Sequence, residues 1–320
     1  MNIKEIAQRS GVSVATVSRV INNNPKVKLE TRNKVLSVIN ETNYYPQFIA
    51  QNMRGRKTNM ILVVIPDIIN PVFNVMIDGI VQTLNLKGYK TIITVREGNL
   101  ATISTYTDLL KGRQVEGAIF VSSSIKKELF IELNQSYNVV MCSEYFDDVD
   151  MPIITINNEQ AAYEITKYLI RLGKKNIAYF SAKGESSSSK NRKKGIIKAL
   201  DEFNINYTPN SFQKSNSKKF DFGNQVIDHI IKYPDTDALI INSDFQAVYA
   251  LKALKKFKRN IDIVSFDGTY FLDIIDDNIT CIKQPFFEIG TKAVEVLLNK
   301  IEGKSYEKNN ILAYKLINGI

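Results

Sequence analysis

Two hydrophobic rhythms divide this chain. Over the opening segment apolar residues recur at helical spacing; from residue 60 onward they come in solid runs separated by amphipathic stretches. Ile3, Ile6 and Ala7 share one stripe of a first helix. Gly11 breaks it and supplies the left-handed backbone of a tight turn. Ser13 is suited to cap a second helix in which Val17, Val20 and Ile21 face inward. The outward face is small and polar: Ala15, Thr16, Ser18 and Arg19. Asn22-Asn23-Asn24-Pro25 reads as a loop. A third helix is predicted over residues 29–42, with Leu29, Val35, Leu36, Val38 and Ile39 apolar, and Tyr44-Tyr45-Pro46 stops it. Residues 47–54 suit a short helix after Pro46, and residues 55–59 a basic connector that ends the first region.

Met60 to Ile65 is a continuous apolar run ending at Pro66, as expected of a strand buried on both faces of a parallel sheet. Alternation follows. Strands are predicted at 91–95, 117–121, 138–141, 153–156, 176–180, 238–241 and 262–266, with one tail strand over 311–316. Helices are predicted at 72–87, 101–111, 126–134, 158–172, 190–203, 222–232, 245–257 and 286–301. This pattern means doubly wound α/β sheets, and its length favours two lobes over one very wide sheet. Breaks near Asn157-Asn158 and Gln284-Pro285 mark where the chain changes lobe. Loops at the C-terminal ends of parallel strands are where such folds bind ligands.

Charge sharpens the picture. Residues 1–60 hold ten Lys or Arg against three Glu, a surplus of seven within a net charge of +9 for all 320 residues. That asymmetry is the electrostatic signature of a nucleic-acid module joined to a near-neutral body. A short helix with small side chains and one Arg can enter a DNA major groove and approach base edges. The two cysteines, Cys142 and Cys281, lack partners at metal-ligand spacing, and the single His, His229, has no triad partner nearby in sequence. No phosphate-cradling glycine motif is present. An enzyme is therefore not expected, and no cofactor or metal. No apolar run reaches membrane-spanning length and the first residues are not a signal peptide, so a cytoplasmic, DNA-associated protein is expected.

Ordered phrases along nearly the whole chain resemble the lactose repressor/galactose repressor (LacI/GalR) family of bacterial transcription regulators. They are Ile6-Ala7 through Gly11-Val12-Ser13, Thr16-Val17-Ser18-Arg19-Val20-Ile21-Asn22, Asn43-Tyr44-Tyr45-Pro46 with Ala50, Met53 and Lys57-Thr58, then Ile65-Pro66-Asp67, Asn70-Pro71-Val72-Phe73, Arg113-Gln114-Val115-Glu116-Gly117, Ser243-Asp244, Ser265-Phe266-Asp267 and Lys283-Gln284-Pro285. The resemblance implies an α/β protein: a three-helix helix-turn-helix domain over 1–46, a hinge helix and linker over 47–59, and a two-lobed, periplasmic-binding-protein-like core over 60–320. The N-lobe would hold about 60–156 plus 285–310 and the C-lobe about 157–284 plus the tail, with three crossings between them. It also implies a homodimer on a palindromic double-stranded operator.

The resemblance further implies that Ser13, Val14, Ala15, Thr16, Ser18, Arg19 and Asn22 face DNA, with Tyr44, Ala50, Met53, Arg54 and Lys57. Val14 and Ala15 can touch thymine methyls, and Arg19 can grip guanine bidentately. Met53 stands where the family places a minor-groove wedge, which a flexible thioether can serve. Effector contacts carry over to Asp67, Asn70, Phe73, Ser143, Arg192, Asp244, Asp267 and Gln284. Carboxylates, amides and an Arg suit a polyhydroxylated ligand, and Phe73 can stack on its apolar face. Asp67 and Asp244 have a simpler reading as helix caps. This chain departs from the family at Asn157-Asn158, Ser143-Glu144, Ser243 and Gly268, all near the cleft, so the effector is not copied from a known member. The expected function is a repressor of a carbohydrate operon released by a sugar, or by a sugar phosphate because Lys183, Lys190, Arg192, Lys193 and Lys194 crowd one stretch. The alternatives are a protein co-effector, a purine or nucleoside ligand, and, remotely, a solute-binding protein.

Overall fold

The computed structural model describes residues 3–21, 24–42, 57–96, 107–122, 125–182, 184, 186–215, 221–275 and 279–319. The chain forms two compact units that divide between Thr58 and Asn59.

The first unit contains helices α1 (Ile3–Ser10), α2 (Val14–Ile21) and α3 (Leu29–Glu41). Gly11 sits at φ +62°, and the turn closes as Val12 N–H donates to the Ala7 carbonyl. Ser13 caps α2 by accepting from the Thr16 N–H at 3.2 Å. Ile6, Ala7, Val17, Val20 and Val35 form the buried centre. Leu29, in the first turn of α3, does not join it and is 72% exposed. Leu36 is exposed as well.

The second unit alternates strand and helix. Its first lobe has β1 (Met60–Ile65), α4 (Pro71–Leu86), β2 (Lys90–Val95), β3 (Gly117–Val121), α5 (Lys127–Ser136) and β4 (Val139–Cys142). The sheet order is β2-β1-β3-β4, all parallel. β1 is buried from Ile61 to Ile65, as its unbroken apolar run requires. Residues 107–111 are helical. After β5 (Ile153–Ile156) the chain enters α6 (Asn158–Arg171), β6 (Ile177–Ser181), α7 (Ser187–Glu202), β7 (Phe212–Lys214), α8 (Phe222–Lys232), β8 (Ala238–Ile241), α9 (Asp244–Lys256), β9 (Asp262–Asp267) and β10 (Thr280–Lys283). It then returns through α10 (Phe286–Ile301) and β11 (Asn309–Leu312) and ends with β12 (Lys315–Ile317). The second sheet runs β12-β10-β9-β8-β6-β7, parallel except for antiparallel β12, while β11 pairs in parallel with β5.

Three sequence expectations are corrected. β7 and β10 were not anticipated, since each is short and carries a Lys at its end. The single tail strand is two strands that break at Ala313-Tyr314 and pair in different places. α7 begins at Ser187, three residues before the predicted start, because Ser186 caps it and accepts from the Ser189 N–H.

α10 belongs with the first lobe, where it packs on α4, β3 and β4. The α4–α10 contact is backbone-close: a Cβ on Gly79 would lie 2.2 Å from the Phe287 oxygen, and one on Gly290 would lie 2.4 Å from the Met76 oxygen. The parallel strands of both large sheets point their C-terminal ends toward one cleft.

Candidate functional site

A cavity of about 360 Å³ lies between the two lobes. Strand ends build it. Asn70 follows β1, Ser122 follows β3 and Ser143 follows β4; across from them Ser215 follows β7, Asn242 follows β8 and Asp267 ends β9. Gln284, just after β10, lines it at a crossover. Phe73 enters from the first lobe and Phe245 from the second. Aromatic and polar walls of this kind match a ligand with apolar faces and a hydroxyl rim.

Arg192 is the pivot. It is 4% exposed and lies in the second turn of α7 rather than at its start. Its Nε donates to Asn158 Oδ1 at 2.9 Å, and its Nη1 donates to the Asn242 carbonyl and to Asn242 Oδ1, both at 2.9 Å. Its guanidinium stacks on the Phe266 ring, 3.9 Å from the centroid. Tyr179 also donates to Asn242 Oδ1 at 3.1 Å, and burial pushes its phenol up to about 12. The Arg is thus held in place by side chains from α6, β8 and β9 before any ligand arrives.

Asp267 sits beside it at φ +111° and accepts from Gln284 Nε2 at 3.1 Å. Burial, with the nearby Asp244 charge, holds its carboxyl well above the usual range, although Arg192 pulls the other way.

Two expected effector residues are elsewhere. Asp244 is 1% exposed and accepts from Ser265 Oγ at 2.6 Å, from Thr269 N–H at 2.7 Å and from Thr269 Oγ1 at 3.0 Å. It staples the β9 turn under α9 and does not line the cavity, and burial raises its carboxyl to about 6. Ser243, one residue earlier, lines the cavity and caps α9. Asp67 folds back on its own loop, accepting from the Ile69 and Asn70 N–H groups at 2.9 Å each. Asn70 caps α4 by accepting from Val72 N–H while still lining the cavity.

Sequence reasoning did not assign Glu144, Ser186, Ser188, Asn242 or Gln246 a ligand role, yet all line the cavity. Each lies within five residues of a strand end or in the first helical turn that follows, the one signal that could have found them. The basic stretch does not converge. Lys193 Nζ lies over the Phe212 ring, Lys194 Nζ donates to Asn191, and Lys190 lines a different cavity; Lys183 lies outside the described residues.

In the first unit Ser13, Val14, Ala15 and Arg19 are exposed, with Thr16 and Ser18 half-buried, on one side of α2. Thr16 and Ser13 share a hydroxyl hydrogen bond at 2.9 Å. Lys57 is exposed. Asn22, Tyr44, Ala50, Met53 and Arg54, and the whole expected hinge helix, lie outside the described residues. Among the described residues no His, Cys, Asp and Glu cluster is arranged to hold a metal, and no helix is long and apolar enough to cross a membrane.

Residues 2–47 match the model of bacterial regulatory proteins of the lacI family, and residues 58–317 match that of periplasmic binding proteins and sugar binding domains of the LacI family. The chain is 32% identical to the HTH-type transcriptional regulator RegA of Clostridium acetobutylicum, over 99% of this chain and 97% of that protein. It is 29% identical to the HTH-type transcriptional repressor CytR of Escherichia coli K12, over 94% of this chain and 90% of that one. The lac repressor dimer, solved with operator and the anti-inducer ONPF, shares the fold at a TM-score of 0.84 and 21% identity, covering all of this chain and 98% of the repressor. Both halves of the sequence therefore lead to one conclusion: this chain belongs to the LacI family and is a DNA-binding transcription regulator, not an enzyme.

Proposed function

We propose that this protein is a cytoplasmic, homodimeric repressor of carbohydrate-utilisation genes, released from a palindromic operator by a sugar bound in the inter-lobe cavity. The observation that carries the effector reading is Arg192, locked onto Asn158 and Asn242 beside Asp267 in a chamber with Phe73. A guanidinium, a carboxylate and amides held in fixed directions bind vicinal hydroxyls without reordering cost. In this reading Asn70, Phe73, Ser143, Arg192, Asp267 and Gln284 contact the ligand, whereas Asp67 and Asp244 only position the loops around it. Ser13, Val14, Ala15, Thr16, Ser18 and Arg19 read the major groove, with Asn22, Tyr44 and Lys57 on the backbone. Ala50, Met53 and Arg54 act in the minor groove.

Sugar binding changes the angle between the lobes, and operator affinity changes by the difference in the sugar's affinity for the two states, about 1–3 kcal/mol. The test is thermal stability of the purified protein against monosaccharides, disaccharides and nucleosides, followed by operator release with each hit. A ligand at about 100 times its Kd adds about 2.7 kcal/mol to stability. Arg192→Ala is expected to lose that shift and keep operator binding. A shift retained in full by Arg192→Ala, or a hit that never alters operator affinity, overturns the reading.

A further inference from the structure

The Ser143–Phe146 loop of the first lobe reaches across the cleft and docks on the first turn of α7 in the second. Glu144 makes the bridge. Its Oε2 accepts from Ser187 Oγ at 2.5 Å and from the Ser188 N–H at 2.9 Å, and its Oε1 accepts from Ser188 Oγ. The Tyr145 N–H donates to Ser187 Oγ at 3.1 Å, and Asn191 Nδ2 donates to the Tyr145 hydroxyl at 2.8 Å. Glu144, Ser187 and Ser188 are all buried.

The N-terminal turn of a helix offers unpaired N–H groups and partial positive charge, the usual seat of a phosphate or carboxylate. Here the chain's own carboxylate takes that seat. It also stands between two cavities. The inner one is the chamber around Arg192; the outer one, also of about 360 Å³, is lined by Lys127 and Lys190. Glu144 and Ser186 line both. Among the described residues lining the inner chamber Arg192 is the one cation, and its Nε and Nη1 are already bonded to Asn158 and Asn242. Glu144 and Asp267 place two carboxyl groups around the same space. A phosphoryl group entering there meets the Glu144 carboxylate, loses its water and finds the natural donors of α7 taken.

We propose that Glu144 is a specificity-determining residue: it occupies the anion seat of α7 and partitions the cleft, so that the inner chamber accepts uncharged polyhydroxylated ligands and rejects their phosphorylated forms. This rests on reading the cleft as the effector site. It leaves Lys190 outside the partition, in the outer cavity.

The test uses the full-length protein, Glu144→Ala and Glu144→Gln. Each is melted with and without inorganic phosphate, and titrated calorimetrically with the pairs glucose and glucose 6-phosphate, ribose and ribose 5-phosphate, cytidine and cytidine 5′-monophosphate. Phosphate is expected to raise the melting temperature of Glu144→Ala beyond the response of the wild type, since Ser187 and Ser188 are freed. In any pair that binds, the wild type is expected to prefer the neutral member by at least about tenfold, with the gap narrowing in both variants. Glu144→Gln keeps the shape and an acceptor oxygen, so it carries the comparison should Glu144→Ala not fold. Equal phosphate responses in all three proteins, or a wild type that holds the phosphorylated member as tightly as the neutral one, overturns the proposal. Wild type that binds no neutral sugar or nucleoside, in the presence of a phosphate gain in Glu144→Ala, would instead defeat the effector reading and leave the anion seat standing.

Discussion

Asp244 and Asp267 show how far two carboxylates of similar appearance can differ in role. Both end or follow a strand, both are buried, and only Asp267 reaches the ligand chamber. Their raised pKa values link stability to pH. An Asp that titrates near 3.9 in the unfolded chain and at about 6 when folded binds more protons in the folded state between those values. Its contribution is therefore complete below about pH 4 and fades as pH rises through about 6. Wild-type stability relative to Asp244→Asn is expected to fall across that window, which denaturant melts of both proteins from pH 4 to 8 would measure. A difference that stays flat with pH would mean that the folded carboxyl titrates normally. Asp267 and Gln284 line the chamber because each sits at a strand end or crossover that the alternation marks, and Arg192 lines it from the second turn of α7. Sequence reasoning misplaced Asp244 because Ser265 and Thr269, which bind it, are 21 and 25 residues away. Glu144 escaped for the same reason: its partners lie 43 and 44 positions along the chain.

Among elements, the contact of α4 with α10 has little tolerance. Gly79 and Gly290 face the opposite helix's backbone, so a methyl group at either forces the helices apart. Gly290→Ala is expected to cost about 1–3 kcal/mol, which in a unit of this size lowers the melting temperature by about 2–4 °C per kcal/mol. Calorimetry would register this, and an unchanged melting temperature would show that the helices slide apart freely. Long helices and apolar strands such as β1, β3 and α10 were legible because their periodicity extends over many residues. β7 and β10 were not: three or four residues hold too little pattern, and their strand character comes from pairing with β6 and β9. The tail read as one strand because residues 311–316 are mostly apolar or extended in preference, while its break is set by two separate pairing partners. The early start of α7 was hidden by four serines, residues of indifferent helix propensity, whose turn is completed by Glu144 from the other lobe.

For the whole molecule, charge is distributed by task, with most of the positive surplus in the first sixty residues. Affinity for an operator, obtained by selection from random duplexes, is expected to fall steeply and linearly on a log–log plot against salt. Lys57→Ala should weaken all DNA sequences alike and reduce that slope by about one, whereas Arg19→Ala should chiefly erase preference for the selected operator. Filter binding or anisotropy at several salt concentrations distinguishes the two; equal effects of both variants on random and selected DNA would remove Arg19 from base reading. The chain's return from the second lobe to α10 and β11 also matters during synthesis. Ile289, Ala293, Val294 and Leu297 of α10 are part of the core that covers the first sheet, yet they follow all of the second lobe but β12 in sequence. At ribosomal speed, roughly 12–50 seconds separate the emergence of β1 from that of α10. Throughout that interval the growing chain carries a half-covered apolar sheet, a surface that chaperones hold and that a truncated product could never close.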